Sequence, residues 1–283
     1  MTATTWQCGR FEFALDRPVL MGVVNVTPDS FSDGGKHDAA EAAIKHARQL
    51  IKQGARAIDI GGESTRPGAE PVTAKRELDR IMPVLESLRH ANVALSVDTC
   101  KPEVMRIALD AGADIINDVT GFTDPEAQSV VAAHGRCGLC VMHMRGEPRT
   151  MQQAPTYENV TKEVFGWLDA QARHLVSLGI SPNRMTLDPG FGFGKTIEHN
   201  YELLRHLDQL VALGYPVLIG LSRKSMIGAV TGRPVDQRIA GSLSGALAGV
   251  YRGARVVRVH DVEATKDAIE VWQAVAFGPK EAP

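Results

Sequence analysis

No apolar run in the 283 residues approaches the roughly 20 needed to span a membrane. Met1 to Pro18 carries charges rather than an apolar core of signal-peptide length. Both absences point to a soluble cytoplasmic protein. Charge of one sign is missing as well: charged residues make up 23% and the net charge is −2, so no global field would hold nucleic acid or an acidic membrane. An anionic ligand would have to be gripped locally. Cysteine is scarce, and Cys8, Cys100, Cys137 and Cys140 are too few and too unevenly placed for a disulfide framework. Cys137-Gly-Leu-Cys140 does spell C-x-x-C beside His134 and His143. Cys140 nevertheless opens an apolar strand-like run, and no second pair completes a zinc set. Cys100 precedes a helix start, where a thiolate could be stabilised; the plainer reading is a small residue filling a turn. Linkers rich in Ser or Pro, low-complexity tracts and charge runs are all lacking, so residues 1–283 are expected to form one domain.

What is present is a regular alternation. After a segment around Trp6 to Leu15 suited to a hairpin, eight short apolar runs alternate with longer stretches of helical spacing. The strand candidates are Val19–Val26, Ala57–Gly62, Ala94–Thr99, Ile115–Val119, Leu139–Met144, Met185–Asp188, Val217–Leu221 and Val256–Val259. Each is short and apolar, as strands buried on both faces of a parallel sheet should be. Helices are predicted at Ala40–Gln53, Ala74–His90 and Tyr157–Leu178, among others. Asp124-Pro125 reads as a cap followed by a first-turn proline, and Gly54, Gly112, Gly135, Gly179, Gly214 and Gly253 stand where helices should stop. Eight such units match a (β/α)8 TIM barrel with a short N-terminal hairpin, with a doubly wound open sheet as the alternative. Either architecture places its site beyond the carboxyl ends of the strands.

Those ends are polar: Asn25; Asp59 and Glu63; Ser96 and Asp98; Asn117 and Asp118; His143; Asp188; Ser222 and Lys224; Arg258 and His260. Residues two apart on a strand share a face, so Arg258 and His260 point together and offer two cationic donors to an anion. Asp118 and Asp261 suit helix caps. Asp98, Asn117, Asp188 and Lys224 together suit a flat heterocycle, because two carboxylates can accept its N–H groups while the amide and ammonium serve its carbonyl and ring nitrogens. Two long loops, Val24–Gly35 and Glu63–Pro71, leave the first two strands and exceed the usual roughly 2 to 6 residues, which suggests a site with moving walls. The run Asp188-Pro-Gly-Phe-Gly-Phe-Gly-Lys195-Thr196 ends like a P-loop but fails it at Pro189. Its glycines would let the backbone approach a planar ligand, with Phe191 or Phe193 as a wall.

Seven segments carry a family resemblance: Asn25-Val-Thr-Pro-Asp-Ser-Phe-Ser-Asp-Gly-Gly35, Asp59-Ile-Gly-Gly-Glu-Ser-Thr-Arg-Pro-Gly68, Ser96-Val-Asp-Thr99, Ile116-Asn-Asp118, Asp188 to Lys195, Ser222-Arg-Lys-Ser225 and Arg258-Val-His-Asp261. In this order they resemble the motif series of the bacterial dihydropteroate synthases, from about Pro18 onward. The resemblance implies an enzyme joining (7,8-dihydropterin-6-yl)methyl diphosphate to 4-aminobenzoate. By motif, Asp98, Asn117, Asp188 and Lys224 would hold the pterin, with Met142 and Phe193 nearby. Asn25 would help ligate Mg2+. Arg258, His260, Thr65 and Arg66 would face the diphosphate, while Phe31, Pro67 and Ser225 would receive the 4-aminobenzoate. Asp98, Lys224, Arg258 and His260 would carry the chemistry. Cys100 and Arg145 depart from the family pattern without removing a motif residue. A pterin-binding methyltransferase barrel and a non-catalytic pterin-binding paralogue are the rivals; the methyltransferase would need neither the two loops nor the Arg258/His260 pair. Helix Ile239–Tyr251 is rich in Gly, Ser and Ala, and with the family resemblance it implies a homodimer.

Overall fold

The computed structural model describes residues 4–27, 36–64, 68–146 and 150–278, with side chains described from Ala39 onward in the second stretch. Its first elements, β1 (Thr5–Cys8) and β2 (Phe11–Ala14), pair antiparallel about a two-residue turn. Gly9 occupies that turn at φ +53°, a conformation that favours glycine. Then follow β3 (Val19–Asn25), α1 (Lys36–Lys52), β4 (Ala57–Gly61), α2 (Ala74–Leu88), β5 (Ala94–Asp98), α3 (Pro102–Asp110), β6 (Ile115–Asp118) and α4 (Pro125–His134). The second half holds β7 (Gly138–Met142), α5 (Val160–Ser177), β8 (Met185–Asp188), α6 (Ile197–Arg205), α7 (Leu207–Val211), β9 (Leu218–Ile219), α8 (Ser225–Thr231), α9 (Ile239–Tyr251), β10 (Val256–Val259) and α10 (Val262–Phe277).

The strands β3 to β10 form one parallel sheet in the order β8-β7-β6-β5-β4-β3-β10-β9. A bridge between Leu187 and Val217, with Leu187 N donating to Pro216 O at 2.9 Å, brings β9 back towards β8 and closes the barrel. The expected strands are all present, most of them trimmed by a residue or two. Val217–Leu221 shrinks most, to the two-residue ladder Leu218–Ile219, and the Val217 carbonyl before it accepts from both Arg255 N and Val256 N. Sequence-marked ends also hold: Asp124 accepts from Glu126 N at 2.7 Å with Pro125 in the first turn, and all six helix-stop glycines have positive φ. Helix α5 begins later than Tyr157 because Asn159 Oδ1 caps it through Lys162 N at 2.9 Å.

Strand alternation sorts the core into two parts. Ile58, Ile60, Leu95, Val97, Ile116, Leu139 and Val141 face outward and pack against helix residues such as Ile81, Leu85, Val104 and Leu168. Ala57, Ala94, Ile115, Cys140, Leu218 and Val256 face inward and meet Trp6, Phe13 and Leu15 of the hairpin. The hairpin thus plugs the amino-terminal end of the barrel. Trp6 Nε1 donates to Arg184 O at 3.0 Å, so the plug buries a large ring without orphaning its N–H. Among the described residues, no helix is long and apolar enough to cross a membrane.

Candidate active site

Strand register assembles the carboxyl-end mouth. Asn25 pairs with Gly61, Gly61 with Asp98, and Asp98 with Asn117, so inward groups from four adjacent strands share one level. Met142 pairs with Asp188 on the far wall. One step below, Asp59 lies opposite Ser96 and acts as a hub. Its Oδ1 accepts from Ser96 Oγ at 2.5 Å, while its Oδ2 accepts from Asn117 Nδ2 at 3.1 Å and from Arg258 Nε at 2.6 Å. Arg258 also donates through Nη2 to Asp98 Oδ2 at 3.0 Å. Asp98 Oδ1 is buried and has no hydrogen-bond partner among the described residues.

Burial and crowding set the protonation of these groups. Asp98 is pushed up to about 7, first by burial and then by the charge of Asp59, with Arg258 pulling the other way. Asp188 is likewise raised by burial, opposed by Lys224 and by the backbone hydrogen bond from Gly190. Burial lowers Lys224 to about 8 although Asp188 favours its charge. Burial also works against Arg258, but Asp59 and Asp98 more than offset it and its guanidinium stays charged.

A glycine-rich turn forms the next wall. Asp188 Oδ1 accepts from Gly190 N at 2.7 Å, and Gly190, Gly192 and Gly194 all have positive φ. Phe191 is wholly buried and belongs to the core, whereas Phe193 stays half-buried with Lys224 Nζ 4.8 Å from its ring centre. Lys224 Nζ also donates to Phe191 O. Lys224 is aimed this way by a strained neighbour, Arg223, at φ +61°. Arg223 is held by a fork to Asp261, Nε–Oδ2 at 3.0 Å and Nη2–Oδ1 at 2.5 Å, and by Ser242 Oγ accepting from its N–H at 2.9 Å. Beside it, Ser222 Oγ lies 3.1 Å from His260 Nδ1. Ser225 starts α8 and is exposed at the rim.

A model for pterin binding enzymes matches residues 21–260. The chain is 50% identical to dihydropteroate synthase of Neisseria meningitidis serogroup C over 98% of this chain and 99% of that one. It also superposes on Xanthomonas albilineans dihydropteroate synthase solved with 4-aminobenzoic acid, at TM-score 0.92 and 49% identity, covering 98% of this chain and 100% of the other. The same enzyme in complex with 7,8-dihydropteroate gives TM-score 0.88 and 46% identity over 97% and 100%. The chain belongs to the dihydropteroate synthase family.

Of the residues that the dihydropteroate synthase resemblance singled out, Asp98, Asn117, Asp188, Lys224 and Arg258 lie around one mouth, with Met142 and Phe193 lining it. Asn25, His260 and Ser225 stand at its rim by strand or helix position. Phe31, Thr65, Arg66 and Pro67 lie outside the described residues. Asp59 and Arg223 carried no expected role, although the alternation that places Asp98 inward places Asp59 inward too. Asp261 occupies the N-cap position of α10 but makes no side-chain cap bond; it spends its carboxylate on Arg223. Asp118 does cap its turn, accepting from Thr120 N and Phe122 N at 2.8 Å each. The Cys100 thiol is pushed up to about 12 by burial and by Asp118, so it fills a turn as a thiol. Cys137 and Cys140 are free and fall in different parts of the core.

Proposed function

We propose that the protein is a dihydropteroate synthase, one pterin-binding barrel domain that joins (7,8-dihydropterin-6-yl)methyl diphosphate to 4-aminobenzoate and releases diphosphate. The observation that carries the reading is a buried mouth holding Asp98, Asn117, Asp188 and Lys224, with one Asp98 oxygen left without a partner. A pterin edge supplies N–H groups for the two carboxylates and a carbonyl and ring nitrogen for Lys224. A ligand lacking one of these would leave a buried group unpaired, at about 1–3 kcal/mol.

Arg258 holds Asp98 through one guanidinium nitrogen and Asp59 through another. Keeping the Asp59 bond while turning Nη2 towards the diphosphate would free Asp98 Oδ2 for the pterin, so one rotation couples the two halves of the substrate. His260, Thr65 and Arg66 complete the diphosphate side, and Phe31, Pro67 and Ser225 the 4-aminobenzoate side. Magnesium suits Asn25. A Cβ on Gly61 would stand 3.5 Å from Asn25 Oδ1, so glycine there keeps room beside that hard oxygen donor. When bound, Mg2+ would neutralise the departing diphosphate.

The chemistry we favour is dissociative. The C–O bond breaks with its electron pair leaving on the diphosphate, and the methylene cation delocalises into the reduced pterin. The amine lone pair then forms the C–N bond and the amine sheds a proton. Asp98 stabilises the cation electrostatically, and the loops exclude water that would capture it. Purified protein should release diphosphate and form dihydropteroate only with both substrates and Mg2+ present; a methyltransferase barrel or a silent paralogue would release none. Positional isotope exchange within the diphosphate, without the amine, tests the order of steps, and absence of both scrambling and any trapped cation would sink the dissociative path.

A homodimer fits the outer surface. Val230, Val235, Ile239, Tyr251, Val271, Val275 and Phe277 are exposed on or beside α8, α9 and α10, which pack side by side. These glycines of α9 serve another end: a Cβ on Gly241 would come 2.4 Å from Ile227 of α8 and one on Gly249 2.3 Å from Ile219 of β9, so both pack within this chain. A monomer mass by light scattering would exclude the dimer.

A further inference from the structure

Lys195 closes the glycine-rich turn, is 3% exposed, and bonds no carboxylate among the described residues. A lysine so deeply buried is rare unless it is paired with an acid. Its Nζ instead lies 3.0 Å from Gly190 O, 2.9 Å from Phe193 O, 3.2 Å from His143 O and 3.1 Å from His143 Nδ1. Burial lowers Lys195 to about 7 although Asp188 favours its charge, and its N–H groups face four acceptors. The His143 ring is kept neutral, lowered to about 3 by burial and then by Lys195, which leaves Nδ1 free to accept.

Those acceptors belong to two segments, the turn after β8 and the residues just past β7. The fit between them is close: a Cβ on Gly190 would fall 2.0 Å from His143 O, and one on Gly194 2.3 Å from Arg145 O. Both glycines have positive φ, so a side chain at either would be strained as well as crowded. On its other side it presents the Phe191 carbonyl and the Phe193 ring to Lys224. One lysine draws the turn inward from behind while the other meets it from the mouth.

We propose that Lys195 is a positioning residue for pterin recognition: its Nζ donors gather the Gly190, Phe193 and His143 carbonyls and so fix the Phe193 ring against Lys224. The inference rests on the reading of this mouth as a pterin pocket. Lys195 itself contacts no substrate and acts through the turn.

The test pairs Lys195→Met, which cannot donate, with Lys195→Gln, which keeps a neutral donor. Calorimetric binding of a pterin without diphosphate and steady-state kinetics are measured on the full-length protein. Lys195→Met should weaken pterin binding and raise KM for the pterin diphosphate by about tenfold, the scale of one lost buried hydrogen bond. KM for 4-aminobenzoate should stay within about twofold, and Lys195→Gln should fall between. Combined with Phe193→Ala, the loss should be smaller than the product of the two single losses, because both act through one ring. A folded Lys195→Met with unchanged pterin affinity, or a fully multiplicative double variant, would overturn the proposal. So would failure of both Lys195 variants to fold, since the group would then serve the barrel rather than the turn. Wild-type protein that binds no pterin would instead overturn the pterin reading beneath it.

Discussion

The two ends of the barrel are built from the same strands to opposite purposes. At the amino-terminal end, Ala57, Ala94, Ile115 and Val256 close over Trp6 and Phe13 of the hairpin. About 6.6 Å further along the same strands, Asp59, Ser96, Asn117 and Arg258 take the next inward positions. The plugged end also satisfies its polar groups. Asp114 accepts from Leu95 N and Arg10 N at 3.0 Å each, and from Arg10 Nε at 3.0 Å and Nη2 at 2.7 Å. The open end leaves Asp98 Oδ1 unpaired and drives its carboxyl up to about 7. Stability therefore accrues below, where apolar area is hidden, and is conceded above, where charge is desolvated without full compensation.

Trp6→Ala should break the lower end most severely, costing about 3–5 kcal/mol in urea unfolding. KM for both substrates should be unchanged; a loss of substrate affinity at full stability would reverse the assignment of the two ends. Asp98→Asn makes the converse case. It should lower kcat/KM by about 10²–10³, or about 2.7–4 kcal/mol, with the unfolding midpoint near that of wild type. Equal damage to folding would place Asp98 among the structural carboxylates. The protonation of the mouth sharpens the contrast further. Below about 7, Asp98 gains a proton and loses an acceptor; above about 8, Lys224 loses its charge. The profile of kcat/KM for the pterin diphosphate should accordingly rise through the first value and fall through the second, and a profile flat from pH 6 to 9 would contradict it. Arg10→Ala should have the smallest effect, about 0.5–1 kcal/mol of stability and none on turnover, because the arginine is partly exposed and Asp114 keeps its backbone donors.

Much of this arrangement can be read from local pattern. Period-2 alternation decided which strand residues face into the barrel, so the placement of Ser96 with Asp98 needed no tertiary information, whereas β10 ends at Val259 and His260 lies beyond it, against Ser222. Glycines at helix stops work through backbone conformation and the Asp124-Pro125 start through a cap bond only two residues long, and both were legible because they are local. The family motifs located the mouth for the same reason: they fall at strand ends. Asp59 shows where local pattern stops. Its partners Ser96, Asn117 and Arg258 lie 37, 58 and 199 residues away, and nothing near Asp59 says that it will consume three donors while Asp98 keeps an oxygen unpaired. Arg223 and Lys195 repeat the lesson, one taking up Asp261 where a helix cap was expected, the other taking carbonyls from two segments. Sequence by itself determined the repeat of strand and helix and the inward set of side chains. Only the closed barrel decided which of those side chains neutralise one another and which stay open to a ligand. Pairing and desolvation depend on distances across the barrel, and those do not exist until the ring of strands is complete.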